Sequence, residues 1–446
     1  MIYENLRDLR NEARFNGTVP WFVIGGSRTS THRKLFSVRQ DMTSTQSTLG
    51  KLLASVEFKL IVAWLLVVIV TVIADPGHTY FNNPTNSAEL IIRNSVLLGF
   101  FALGAAVIII SGGIDLSSGS VIAMSATVFG SLLIVLDPAG FRAGELATWA
   151  VVMAFIGTLL SGAMVGTLHA WLITCVGLPP FIATLATLVG LRSFSRGLTL
   201  AMTNNKSQID FPDLALRDAL KDVTSVSLVF LVLAFAIWFL MSWTVIGRHL
   251  HAMGGNEQAA RLSGIRTDRL KWLAYVIGSV SASMVGIVYF ADTGSAKPDI
   301  LARGYELNAI AASVIGGCSL QGGVGTIPGT ILGCLFLRTV IDAVNKIVGS
   351  GADVYEGMIV GIVVVMAVTF SQRAGTARSQ KFFATPVGWA SIPVLSVLTG
   401  ISFMLFFRDK PWFGSVHAVT FGLIVGVILI TRGVMELRTK PAAKRA

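Results

Sequence analysis

Charge is the first thing this chain lacks: Asp, Glu, Lys and Arg make up 13% of its 446 residues, about half the share of an ordinary soluble domain. That excludes a soluble globular body of this length. Cysteine is equally thin. Cys175, Cys318 and Cys334 have no paired spacing, which argues against a disulfide framework or a zinc site and leaves them as small apolar core residues. His169 has no second histidine at metal-ligand spacing and reads as a satisfied polar residue, so no metal is expected. The Gly50-Lys51 pair is followed by Leu52 and has no glycine five residues before it, so a phosphate-cradling loop is missing. Neither paired carboxylates nor a Ser/His/Asp set can be assembled, which weighs against a polytopic membrane enzyme. Two halves with matching interrupted helices, the mark of many secondary transporters, are not found either.

What is abundant is apolar sequence. Hydrophobic residues are 53% of the chain, and runs near the 20 or so residues that a helix needs to cross a bilayer recur from Phe58 almost to the C-terminus. Spans are expected at approximately 58–74, 91–111, 118–136, 147–176, 181–199, 224–244, 270–291, 305–320, 324–345, 354–371, 385–407 and 413–431. The fold class is therefore all-α, a polytopic helical membrane protein with about ten core helices and two extra C-terminal ones. The run at 305–320 is short and reads as a broken or re-entrant element.

The net charge of +11 suggests nucleic acid until its position is considered. With the N-terminus inside, inner segments hold 21 of the 35 Lys and Arg, and the loop from Asp75 to Leu90 holds none. Basic residues gather in cytoplasmic loops, so both termini are expected in the cytoplasm, the lipid bilayer is the partner of most of the surface, and nucleic acid is not a partner. Three regions follow: a polar basic tail over 1–55, a permease-like membrane domain over 56–371, and an extension over 372–446 with two spans and a basic tail. No leader is legible in the tail, and Met42 is an alternative start, since the residues after it make an ordinary short lead into the first span.

Polar residues inside this apolar chain are the candidate functional ones. In "SGGIDLSSGS", Asp115 can cap the third span, with Ser117, Ser118 and Gly119 easing a bend, or the bend can line the inner end of a pathway, since non-helical backbone at membrane depth must face protein or water; the two are compatible. Pro179 and Pro180 suit a helix start, which puts Thr184 and Thr187 on one face, to pack or to line a passage as neutral hydroxyls. Arg338 and Asp342 stand four apart and can pair along one face; alternatively Asp342 lines a path with Asn345. In "VIGGCSLQGGVGTIPG", Gly316, Gly317, Gly322 and Gly323 permit close packing or form a hinge at an inner gate. Between two spans, Asn256 is a good N-cap, Glu257 puts negative charge at a helix start and Gly264 can end the helix in a left-handed conformation, giving about two turns that need a packed neighbour. Thr267 and Asp268 read as the cap of the next span.

Four stretches in this order, "GGIDLSSGS", "LPPFIATLATLVGLRSFSRGLT", "AMGGNEQAARLSGI" and "GYELNAIAASVIGGCSLQGGVGTIPGT", resemble the permease subunits of ribose-type sugar ABC importers, a family whose superfamily includes branched-chain amino-acid permeases. The resemblance covers about residues 55 to 371 and leaves the tail and the two last spans outside the usual pattern. It implies a non-enzymatic subunit of an ATP-driven importer in the bacterial inner membrane, carrying a ribose-, xylose- or galactose-like monosaccharide, or alternatively a nucleoside, an inositol or a branched-chain amino acid. The implied partners are a sugar ABC ATPase with two nucleotide-binding domains, an extracytoplasmic sugar-binding protein, and a second permease copy or paralogue. ATP and Mg would bind the ATPase and no cofactor this chain. Gly255, Asn256, Glu257, Ala259, Ala260, Arg261, Ser263 and Gly264 would form the segment that couples to the ATPase.

Overall fold

The computed structural model describes residues 55–348, a few positions between 357 and 365, 386–406 and 415–438. The expected tail over 1–54, the start at Met42, most of the span 354–371 and the linker 372–384 lie outside the described residues. Every other expected span coincides with a helix. In chain order these are α1 (Val56–Ala74), α2 (Thr79–Asn82), α3 (Pro84–Ile110), α4 (Ser118–Leu136), α5 (Pro138–Ala143), α6 (Thr148–Thr174), α7 (Pro180–Met202), α8 (Leu214–Lys221), α9 (Val223–Trp243), α10 (Val245–Gly255), α11 (Glu257–Leu262), α12 (Thr267–Thr293), α13 (Tyr305–Ile315), α14 (Ile327–Val348), α15 (Pro386–Phe406) and α16 (Ser415–Arg438).

Eight of the described helices, namely α1, α3, α4, α6, α9, α12, α14 and α16, are long and apolar enough to cross a membrane. The other expected spans fall outside that set. Helix α7 carries Arg192, Arg196 and several hydroxyl residues, and α13 has 11 residues, a length of about 16 Å against a hydrocarbon thickness of about 30 Å. The short element expected at 305–320 is therefore a half-length helix, and it stops at Ile315 because Gly316 and Gly317 follow, the latter at φ 95°.

Helix α3 is the axis of the fold. It packs against α9, α12, α13 and α14, and 83% of its apolar window is buried, against 6% for α1. From Ser95 to Ile110 every side chain of α3 is buried, which is why hydrophobicity shows no stripe there: a helix surrounded by others has no polar face to display. Small residues let its neighbours approach. A β-carbon on Gly104 would stand 2.8 Å from the α-carbon of Gly278 on α12. Helix α3 begins at Pro84 in the first position, several residues before the apolar run, because the polar turns ahead of the run are helical too.

One end of the helices is tied by polar contacts among Arg93, segment 206–221 and segment 291–303. Arg93 pairs with Asp292, Ile209–Asp210 and Ser295–Ala296 form a two-residue antiparallel pair, and Arg217 Nε donates to Ala291 O at 2.9 Å. At the opposite end the segments 111–117, 245–266 and 316–326 meet. These are the two groups that the charge bias separates into outer and inner loops.

Candidate functional site

The segment between α9 and α12 holds more structure than the sequence suggests. The residues before Asn256, read as loop, form the 11-residue helix α10, with Thr244 Oγ1 accepting from Gly247 N at 3.2 Å. Two glycines at its end, Gly254 and Gly255, conceal it from propensity. Helix α11 follows as expected: Asn256 Oδ1 accepts from Ala259 N at 2.9 Å, and Gly264 ends it at φ 83°. Thr267 and Asp268 do not cap α12; the cap position is Arg266, without a side-chain bond. Instead they hold Arg261, whose Nη2 donates to Thr267 Oγ1 at 3.0 Å and Asp268 Oδ1 at 3.2 Å, an arrangement the turn Ser263–Gly264 makes possible by folding α11 back on α12.

Lys271 completes the clamp, with its Nζ 2.7 Å from Glu257 Oε1. Partial burial works to raise the Glu257 carboxyl, but the hydrogen bond and charge of Lys271, with Arg261, outweigh it and hold the group below its ordinary value. Helix α11 is thereby fixed in orientation although it is too short to be stable alone. It buries Ala260, at 5% exposure, and presents Leu262 at 90%. Ala260 therefore seats the helix against its own chain, while Asn256, Ala259, Arg261, Ser263 and Gly264 are exposed beside Leu262. Leu262 escaped sequence reasoning, and its signal was an isolated apolar residue closing a polar two-turn helix.

Behind α11 the glycines meet. A β-carbon on Gly254 would fall against Ile110 O and 2.6 Å from Gly323 N, and one on Gly322 would stand 2.6 Å from Gly254 O and 2.9 Å from the α-carbon of Gly112. The backbone bonds as well: Gly323 N donates to Ile110 O at 2.8 Å, and Gly323 O is 3.1 Å from His251 Nδ1. Gly322 and Gly323 lie at φ 84° and 75°, a conformation only glycine adopts without strain. Gly316 touches elsewhere, its β-carbon direction filled by the carbonyl of Gly329 in α14, and Gly317 faces Val56. The candidate gate glycines thus divide into two contacts, one of which joins the end of α10 to the end of α3.

The bend after α3 leads into a buried polar network. Asp115 Oδ1 accepts from Ser117 N at 2.7 Å and from Ser117 Oγ at 2.6 Å. The N-cap of α4 is Ser117, so the expected cap by Asp115 is corrected: its carboxylate braces the residue before the helix and reaches no amide within it. Ser117 Oγ is 3.3 Å from His169 Nε2, which is 2.7 Å from Thr187 Oγ1; Thr184 Oγ1 accepts from Leu116 N at 3.2 Å. Tyr275 OH donates to Ile114 O at 3.2 Å and its ring lies edge-on to His169. The Ser117 proton goes to Asp115, and Thr187 Oγ1 stands 3.0 Å from the carbonyl of Thr184, so His169 donates from Nε2 and its bare Nδ1 is the buried atom without a partner. Asp115, Ser117, Thr184 and Thr187 are all under 9% exposed. Four of the sequence-predicted residues thus come together and join α4, α6 and α7 through a buried polar core in which His169 Nδ1 alone of the His169 ring atoms lacks a partner, with His169 and Tyr275 as further members.

Asp342 and Asn345 lie apart from this network. Asp342 Oδ2 accepts from Tyr80 OH at 2.8 Å and pairs with Lys346 Nζ at 3.1 Å, so its ion pair is one turn onward rather than with Arg338 one turn back. The reason is α2, which brings the Tyr80 ring under Lys346, 4.1 Å from its Nζ. Arg338 lies 5.6 Å over the ring of Tyr305, and Asn345 is exposed. These residues belong to the end opposite the glycine contact.

Comparison with known proteins places this arrangement. Residues 87–368 match the family model described as branched-chain amino acid transport system / permease component. The chain is 32% identical over 318 residues to the ribose import permease protein of Escherichia coli K12, covering 70% of this chain and 91% of that one. It is 34% identical over 318 residues to the ribose import permease protein of Bacillus subtilis, with 70% and 90% covered, and 29% identical over 315 residues to the D-allose transport system permease protein of Escherichia coli, with 69% and 90% covered. No solved structure matches. The relatives are thus covered almost end to end while this chain has sequence to spare, and the matched region contains α3 to α14, the clamp on α11, the glycine contact and the buried network: the chain belongs to this permease family, as a membrane protein of the ribose-type ABC importer class.

Proposed function

We propose that the chain is the membrane-spanning subunit of an ATP-driven importer for a monosaccharide in a bacterial plasma membrane, with ATP and Mg bound by a partner ATPase. The observation that carries this reading is α11, a two-turn helix capped at both ends, clamped by Lys271 and Arg261, and presenting an apolar side chain outward. Such a helix has a use when a second protein covers Leu262. The inner loops are basic and the chain has no phosphate-cradling loop, so the nucleotide sites belong to that second protein. An extracytoplasmic binding protein would deliver solute at the opposite end, and a second permease copy would complete the passage. Helix α7 carries Arg196 at 64% side-chain exposure, which is costly against lipid and suits a face turned to water or to that copy. The residues over 1–55 and the extension over 372–446 stand outside this machinery.

The sugar reading draws on relatives named for ribose, allose and autoinducer 2 import. Uptake of radiolabelled D-ribose, D-xylose and D-galactose by cells co-expressing the chain with a sugar ABC ATPase and a sugar-binding protein tests both parts. ATP-dependent uptake of at least one is expected. Uptake of a nucleoside or an amino acid in place of all three would overturn the substrate class.

A further inference from the structure

A cavity of 430 Å³ opens beside the helices that precede the coupling segment. Its walls include Ile110 at the end of α3, Met241 and Ser242 at the end of α9, Arg248 and His251 on α10, and Thr326 before α14. Its chemistry is mixed: two apolar walls with a guanidinium, an imidazole and a hydroxyl.

Among the described residues the Arg248 guanidinium has no ion-pair partner, and the residue is exposed. His251 commits its Nδ1 proton to Gly323 O, which leaves Nε2 as an acceptor. Ser242 is exposed. Thr326 is already engaged, donating to Glu57 Oε1 at 2.9 Å and accepting from Gly329 N at 3.1 Å. The cavity therefore offers donors around a single uncompensated positive charge, and what it lacks is an anion with several acceptor oxygens.

Its position says which anion. Trp243, Val245 and Ile246 stand next to it at 67%, 53% and 40% exposure, an interfacial aromatic followed by apolar residues on a short amphipathic helix, as at the edge of a bilayer. The segment of this chain that leads into α1 is a poor occupant, since residues 1–54 carry twice as many Lys and Arg as Asp and Glu and would meet Arg248 with like charge.

We propose that this cavity binds the phosphodiester headgroup of an anionic phospholipid of the inner leaflet. Arg248 is the charge partner, its fork matched to two phosphate oxygens; Ser242 donates a further hydrogen bond, and the bare Nε2 of His251 accepts from a headgroup hydroxyl. The exposed Trp243 and Val245 beside the cavity take the glycerol and the first methylenes. The bound lipid touches α9 and α10 together, next to the glycine contact, so its presence bears on the mechanics of that joint.

Titration of the purified full-length chain in detergent with phosphatidylglycerol, phosphatidylcholine or inorganic phosphate, read by native mass spectrometry, tests this. One phosphatidylglycerol is expected to be retained in preference to phosphatidylcholine. Arg248→Gln should bind it about fivefold more weakly, the effect of one basic residue at a membrane surface, and Arg248→Lys less so. Arg269→Gln, an exposed inner-face change outside the cavity, should match the unaltered protein, and Ser242→Trp, which fills the cavity without touching Arg248's charge, should displace the lipid. Equal retention by Arg248→Gln or Ser242→Trp, equal binding of the two lipids, or competition by millimolar inorganic phosphate would overturn the assignment.

Discussion

The amide of Gly323 donates to the carbonyl of Ile110 across 2.8 Å, joining a loop just ahead of α14 to the last residue of the central helix. Gly254 lies in the same contact, with backbone on both sides and no room for a side chain. Gly254→Ala should therefore destabilise the protein by about 1–3 kcal/mol, the range for forcing extra atoms into a packed site. Gly255→Ala is the control, because a β-carbon there meets nothing within 4 Å; its change should stay within about 0.5 kcal/mol. Thermal unfolding of the two purified variants separates them, and equal melting temperatures would mean that the contact does not bear load.

Leu262 gives a second expectation. Leu262→Asp should leave the melting temperature unchanged, since the side chain is 90% exposed, while abolishing co-purification of the ATPase. Ala260→Glu should instead lower the melting temperature, because that position is buried. If both variants lose the ATPase without loss of stability, the division of α11 into a seated face and a docking face is wrong.

The clamp on α11 has a defined pH window. The folded Glu257 carboxyl lies below its ordinary value of 4.5, so its contribution to stability is fully present above that value and is lost as pH falls through the lower, folded value. Hydrogen exchange of residues 257–270 should therefore be insensitive to protonation of this group between pH 8 and pH 6, once intrinsic rates are corrected. Glu257→Gln should raise it at every pH in that range. A wild-type transition near pH 7 would identify a different titrating group.

Asp115 tests the buried network. Asp115→Ala leaves the amide of fully buried Ser117 without its acceptor, at a cost of about 1–3 kcal/mol. Asp115→Asn keeps an acceptor oxygen in place and should restore most of that loss. Should Asp115→Asn melt as the parent does yet lose uptake, the charge itself serves transport and the bracing role is incomplete.

The legible parts of this fold were those that a single element specifies. Apolar runs located the helices, Pro180 and Asn256 marked helix starts, and Gly264 marked an end, because each of these signals acts within a turn of where it sits. What escaped depended on a second element. Asp342 was read against Arg338, its neighbour in the helix, whereas the partner was chosen by Tyr80 from a short helix far away in sequence. Asp115 looked like a cap because Asp often is one; that its carboxylate is spent on Ser117 follows from where α4 starts. Helix α10 was missed because Gly254 and Gly255 are unfavourable to a helix, and the reason for Gly254 lies in the backbone that packs against it.

The contact of Gly254 with Ile110 and Gly323 also has a mechanical meaning. Side chains absorb small displacements by changing rotamer, so a joint padded with them has slack. Here backbone rests on backbone, and a shift of α10 of even half an ångström has no soft element in which to dissipate. A displacement of α10 thus reaches the end of the most deeply buried helix with little lost motion, and that stiffness is a property of residues that have no side chain at all.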